Sequence, residues 1–266
     1  MPAIDLARLK IQAAQLGAEF AEPEAFARGL HEVLDYYTNR TIRASQLAQR
    51  ISLPTYRTPR PVLRQIESEL EPLADAHPIE AVNLANALWK AGYFETRLLA
   101  SRLVGFIPPA QAMPLLSLIP DWLQQSKDRV IQQAILTDAF VRIRKESPDA
   151  FLLLLEDWLK SQDRRMQSWG LSALVPLLSE PGFENLPAVF RIIHPTVEAA
   201  SHATQLDLRA CLRALESHSP TETLVFLREV ILAKPDPQMI RILRRILPAL
   251  STKTQAELRE ALKAQP

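Results

Sequence analysis

Three stretches of the chain follow one plan: a tryptophan, a short polar connector, an acid and an arginine close together, then an apolar run. They read Trp89-KAGYFETR-Leu98, Trp122-LQQSKDR-Val130 and Trp158-LKSQDR-Arg165. The tryptophans stand 33 and 36 residues apart, inside the range of periods that marks stacked helical hairpins. A single hairpin cannot bury its own apolar face, and stacking on a neighbour does it instead. Trp89, Trp122 and Trp158, near the ends of first helices, therefore read as core between hairpins. The tetratricopeptide pattern requires Leu-Gly and Tyr after its tryptophan, which these stretches lack, and HEAT-like stacking fits better.

Glycine decides the fold class further. Only six glycines occur in 266 residues, too few for the turns that sheets need. The 21 prolines are spread singly, and Pro23, Pro78, Pro108, Pro148, Pro220 and Pro235 each precede an apolar periodic run. Proline suits the first helical turn, where its missing N–H has no intrahelical partner. The expected fold is all-α: an α-solenoid of HEAT-like hairpins, curved, with a concave basic face. One repeat domain over 1–266 is expected, clearest over 78–250.

Apolar residues three and four apart mark fifteen helical runs between 3 and 264, among them 40–50, 108–124, 128–146 and 236–249. Two longer breaks interrupt them. At 52–59 Pro54 and Pro59, with Pro61 just beyond, forbid a regular helix, and at 179–187 Pro181-Gly182 stops one. Ser147 and Ser219 stand where N-caps are expected, with Glu222 at capping-box spacing from Ser219. Asp128, Asp163 and Asp207 begin or nearly begin second helices, and N-capping is their simplest role.

Net charge is only +1, so any basic surface is local. Between Arg40 and Arg64 lie six arginines (40, 43, 50, 57, 60 and 64) and no aspartate, glutamate or lysine. The planar guanidinium suits phosphate oxygens, so this segment (39–64 with its proline-rich loop) points to nucleic acid. A second set, Lys127, Arg129, Arg164, Arg165, Arg209 and Arg213, then Arg241, Arg244 and Arg245, falls on second helices or the turns before them. The simpler alternative is a structural acid–arginine ladder, with Asp128–Arg129 and Asp163–Arg164 as its rungs.

Other classes find little support. The lone Cys211 allows neither an internal disulfide nor a cysteine zinc site, and reads as core. His31, His77, His194, His202 and His218 lack metal-ligand spacing, and no Gly-rich phosphate loop or Ser-His-Asp order is visible. The sequence nominates no metal, cofactor or nucleophile. The opening MPAIDLARLK lacks a signal-peptide pattern and no apolar run approaches a membrane span, so a cytoplasmic location is expected.

Three segments carry a family resemblance. Tyr56-Arg-Thr-Pro-Arg-Pro-Val-Leu-Arg64, Ala87-Leu-Trp-Lys-Ala-Gly-Tyr-Phe-Glu-Thr-Arg-Leu-Leu-Ala100 and Leu155-Glu-Asp-Trp-Leu-Lys-Ser-Gln-Asp163 stand in the order of motifs of the AlkD-type DNA alkylation repair family. The chain resembles these bacterial HEAT-like DNA glycosylases from about residue 25 to 250. The resemblance implies a basic concave surface wrapped on duplex DNA and removal of N3- or N7-alkylated purines without base flipping. Catalysis in the family rests on a Trp-Asp-x-x-Asp segment, an arginine two repeats on and a further tryptophan. Here Lys127 and Ile131 fall at the aromatic and the second carboxylate, Ser168 near the arginine and Ala210 near the second tryptophan.

An oxocarbenium-like state needs negative charge near the sugar, and lysine with isoleucine opposes it. The resulting expectation is a DNA-binding member without base excision, holding duplex or branched DNA through Arg57, Arg60, Arg64, Lys127, Arg129, Arg164, Arg165, Arg209 and Arg213. Two alternatives stand beside it: a protein-interaction scaffold, and an active glycosylase whose relocated carboxylate, such as Asp128 or Asp163, faces the DNA.

Overall fold

A computed structural model describes residues 5–38, 53–233 and 236–263, with 113–115 as backbone alone. Among these residues all regular structure is helical, in sixteen α-helices and one 3-10 turn. They form two compact units, Met1–Glu146 and Ser147–Pro266. Within each unit the helices pack in two layers, the hairpin stacking of an all-α, HEAT-like solenoid.

In unit 1, α1 (Leu6–Ala18), α3 (Arg60–Ala76), α5 (Phe94–Phe106) and α8 (Arg129–Asp138) lie side by side in one layer. Helices α2 (Pro23–Tyr36), α4 (Pro78–Ala91) and α6 (Pro109–Leu116) form the other, with α7 (Leu118–Gln125) continuing from α6 and α9 (Val141–Glu146) packed on α5 and α6. In unit 2 the second layer is α11 (Arg164–Leu177), α13 (Gln205–His218) and α15 (Pro237–Ile246). Its first layer is α10 (Pro148–Lys160), α12 (Leu186–Glu198), α14 (Pro220–Ala233) and α16 (Thr252–Lys263).

Proline sets many of the starts. Helices α2, α4, α10 and α14 begin on Pro23, Pro78, Pro148 and Pro220, where a fixed φ and an absent N–H cost nothing. Each helix then buries one stripe: Val62, Leu63, Ile66, Leu70 and Ala74 on α3, and Leu208, Cys211, Leu212 and Leu215 on α13. Cys211 is the core residue expected, and burial pushes its thiol up to about 12.

The repeated tryptophans are core as well, each 4% exposed. Trp89 of α4 and Trp122 of α7 stack with ring centroids 4.5 Å apart and planes 3° from parallel. The indole N–H of Trp89 donates to Gln125 Oε1 at 3.0 Å, and the Arg97 guanidinium lies 4.4 Å from the Trp89 ring centroid. Such aromatic pairs contribute roughly 0.5–1.5 kcal/mol beyond the area they bury.

Several expected elements differ. The run 108–124 is two helices broken at Ser117, because Pro120 has no N–H to return to Leu116. The run 128–146 breaks after Asp138. There Gly105 of α5 meets the turn so closely that a Cβ on it would stand 1.9 Å from the Asp138 carbonyl oxygen. Arg144 donates to the Thr137 carbonyl at 2.6 Å, giving the interrupted helix end a partner. The run 236–249 ends as a 3-10 turn, Leu247–Ala249, around Pro248. Residues 53–59 are non-helical as expected, while the 40–50 run with Arg40, Arg43 and Arg50 lies outside the described residues.

Candidate nucleic-acid interface

Two helices, one in each unit, open on the same seven-residue device, Ser-x-Asp-Arg-x-x-Gln. It reads Ser126-Lys127-Asp128-Arg129-Val130-Ile131-Gln132 before α8 and Ser161-Gln162-Asp163-Arg164-Arg165-Met166-Gln167 before α11. The aspartate is the N-cap: Asp128 Oδ1 accepts from the Val130 amide at 2.8 Å, and Asp163 Oδ1 from the Arg165 amide at 2.9 Å. The glutamine, one turn in, donates back to the connector, Gln132 to the Ser126 carbonyl and Gln167 to the Ser161 carbonyl, both at 2.8 Å. Connector and helix start are thereby clamped, and Lys127, Arg129, Arg164 and Arg165 are held on the outside, all exposed.

The caps matter for the alternatives. Asp128 is 3% exposed, with its Oδ1 on the two amides at the start of α8, and Ile131 is fully buried core. Asp163 pairs with Arg165 at 3.0 Å rather than with Arg164, whose guanidinium reaches Gln167 Oε1 at 2.9 Å. The Arg165 side chain, then its amide, hold the Asp163 carboxyl below the usual range. Asp207 corrects the sequence reading. Thr204 occupies the cap position of α13, and Asp207 accepts instead from the Ser172 hydroxyl of α11 at 2.9 Å. Ser147 sits at the cap of α10 without a capping side-chain bond. Ser168 is half-buried and Ala210 exposed.

Arg57, Arg60 and Arg64 are exposed at the entry to α3. The loop before α3 contains no acid in its own sequence, yet one reaches it from α5. Glu95, 2% exposed, accepts from the Thr55 hydroxyl at 2.7 Å, the Tyr56 amide at 3.1 Å and the Thr58 amide at 3.3 Å. Thr55 Oγ1 in turn accepts from the Arg57 amide at 3.0 Å. The Phe94 amide closes the loop onto the Pro54 carbonyl at 2.9 Å. Tyr56 stacks on Tyr93 at 4.7 Å, with its hydroxyl on His31 Nδ1. Glu95 was legible only as one letter of a repeat; its partners lie some 40 residues earlier.

An acid–arginine ladder exists in unit 1 through residues the sequence reading did not name. Arg102 of α5 bridges Glu67 of α3 at 3.5 Å and Asp138 of α8 at 3.1 Å. Burial pushes both carboxyls above their usual values, with Arg102 pulling the other way. Arg64 acts on Glu67 and Arg60 on Asp138.

In unit 2 charge sorts by layer. Helices α11, α13 and α15 carry seven arginines against two carboxylates, and both carboxylates are engaged: Asp207 by Ser172, Glu216 by the Ser251 amide at 2.9 Å. All seven arginines are exposed. Helices α10, α12, α14 and α16 hold eight carboxylates against six cations. Among the described residues, Arg209 and Arg213 have neither an ion pair nor a hydrogen bond through their side chains.

Among the described residues no helix is long and apolar enough to cross a membrane, and no cluster of three metal-binding side chains occurs. Neither a search of curated proteins nor one of solved structures gave a match. The profile of the family described as "DNA alkylation repair enzyme" matches residues 46–264, most of the described helices of both units. The chain belongs to that family.

Proposed function

We propose that the protein binds DNA through the second-layer helices of its hairpins and does not excise bases. The observation that carries this reading is the sorting of charge in unit 2, where outward arginines gather on α11, α13 and α15 and carboxylates on the opposite layer. A layer with a large excess of exposed arginine over carboxylate is the electrostatic footprint of a phosphate backbone. Duplex or branched DNA is the partner, with Arg57, Arg60, Arg64, Lys127, Arg129, Arg164, Arg165, Arg209 and Arg213 as phosphate contacts.

The absence of excision is supported by the carboxylates nearest the family's catalytic segment. Asp128 is buried as a helix cap and Ile131 is core; Asp163 is tied to Arg165. Each is committed to local structure, and a cationic sugar would find Lys127 nearby instead.

Anisotropy titration of labelled duplex, nicked and four-way-junction DNA across a salt series tests the first half. If six of these contacts are made at once, the slope of log affinity against log salt is about −5. No binding at low salt would overturn the reading and favour a protein partner. Incubation with alkylated DNA tests the second half: the expected release of 7-methylguanine and 3-methyladenine equals the buffer rate, and release above it refutes the claim.

A further inference from the structure

Arg57 is the only non-glycine with positive φ among the described residues, at +57°. A side chain at Cβ is disfavoured in that left-handed region, where glycine is the residue of choice. The position is exposed, beside the exposed Arg60 and Arg64 at the entry to α3. Strain of this kind persists when surrounding structure imposes it and the side chain has a use.

The imposing group is Glu95. Its carboxylate accepts the Thr55 hydroxyl, the Tyr56 amide and the Thr58 amide, while Thr55 takes the Arg57 amide. These three successive amides belong to no helix or sheet, and a buried carboxylate, directly or through Thr55, satisfies them all. The Tyr56–Tyr93 stack and the His31 contact fix the same turn from the side.

We infer that Glu95 is a positioning residue for DNA: from inside the fold it locks the 55–58 turn so that the Arg57 guanidinium is presented to a phosphate beside Arg60 and Arg64. This rests on the DNA-binding reading above. It also makes a prediction of unusual sign. Removing a carboxylate beside a basic surface ordinarily strengthens binding to a polyanion, whereas Glu95→Gln is expected to weaken it. Glutamine offers one acceptor oxygen and turns an amide toward donors, leaving the turn without its lock.

The experiment compares wild type, Arg57→Gly, Glu95→Gln and the double variant by duplex-DNA anisotropy over a salt series, with thermal unfolding of each. Arg57→Gly should melt at or above the wild-type temperature. It should also lose roughly tenfold in affinity at low salt, with the salt slope shallower by about 0.9. Glu95→Gln should reproduce that slope change, and the double variant should add nothing to it. Wild-type affinity and slope in Arg57→Gly, or binding by Glu95→Gln as tight as wild type or tighter, would overturn the inference and leave the DNA reading standing. A fall in melting temperature for Arg57→Gly would remove the strain argument. Absence of binding by the wild type would overturn both. If Glu95→Gln does not fold, Thr55→Val, which deletes one donor to Glu95 and the acceptor of the Arg57 amide, takes its place with the same expected slope change.

Discussion

On α3, α5 and α8 of unit 1, arginine and carboxylate alternate across the layer: Glu67, Arg102 and Asp138 form one chain of contacts, with Arg64 and Arg60 close enough to act on its two ends. On α11, α13 and α15 of unit 2, seven arginines face two carboxylates that are already occupied. Both units use the same hairpin, and two of their connectors share the Asp cap and Gln brace. Stacking geometry and surface chemistry are therefore separable in this chain. The repeat builds the layer, and residues outside the repeat decide whether its charges close on one another or face outward.

Two glycines give the largest contrast. Gly105 in unit 1 packs against the Asp138 carbonyl, while a Cβ on Gly182 in unit 2, at φ +81°, meets nothing within 4 Å. Gly105→Ala should cost about 1–3 kcal/mol or more, since backbone must move. Gly182→Ala should cost about 1 kcal/mol from its left-handed φ alone. Denaturant unfolding measures both; equal costs would mean that the close approach of α5 and the 138–139 turn relaxes freely.

A smaller effect separates the arginines. Changing Arg209 and Arg213 together to glutamine should flatten the salt slope of DNA binding by about 1.8, the full value for two phosphate contacts. The same change at Arg60 and Arg64 should flatten it less, because Asp138 and Glu67 already offset part of their charge. Equal changes would erase the electrostatic distinction between the units.

The smallest and sharpest contrast is in pH. Glu67 is raised by burial, so its contribution to stability is fully present below the ordinary carboxylate value and is lost as pH rises through its folded value. Asp163 is lowered by Arg165, so its contribution is present above the ordinary value and is lost as pH falls through its folded one. In melting curves from about pH 2 to 7, the stability of Glu67→Gln relative to wild type should improve above roughly pH 4.5. The deficit of Asp163→Asn should instead vanish below roughly pH 4. Trends of the same sign in both variants would contradict the assignment.

Local signals made the helices legible. Pro23, Pro78, Pro148 and Pro220 mark starts because the reason, a missing N–H, lies in the residue itself. The tryptophans read as core because their spacing reflects stacking, and Asp128 and Asp163 as caps because a cap bonds two or three residues ahead. What escaped depends on distant partners. The break after Asp138 answers to Gly105, and the acid that organises the basic loop comes from Glu95. The ladder runs through Arg102, on an intervening helix, where adjacent Asp-Arg letters suggested other rungs. For the interface, exposure of the seven helical arginines follows from amphipathic spacing and that of Arg57 and Lys127 from their place in connectors, whereas the separation of charge between layers needs the layers to be known.

The one cysteine of the chain lies fully inside α13, its thiol raised to about 12. Burial keeps the thiol protonated and out of reach, and the thiolate is the form that alkylating reagents attack. The native protein is thus silent toward maleimides without any cysteine being removed. A cysteine placed at Gln162, in the connector ahead of α11, becomes the single addressable point on the molecule, and a photocrosslinker mounted there tests whether DNA passes the second layer of unit 2, as the proposed function requires.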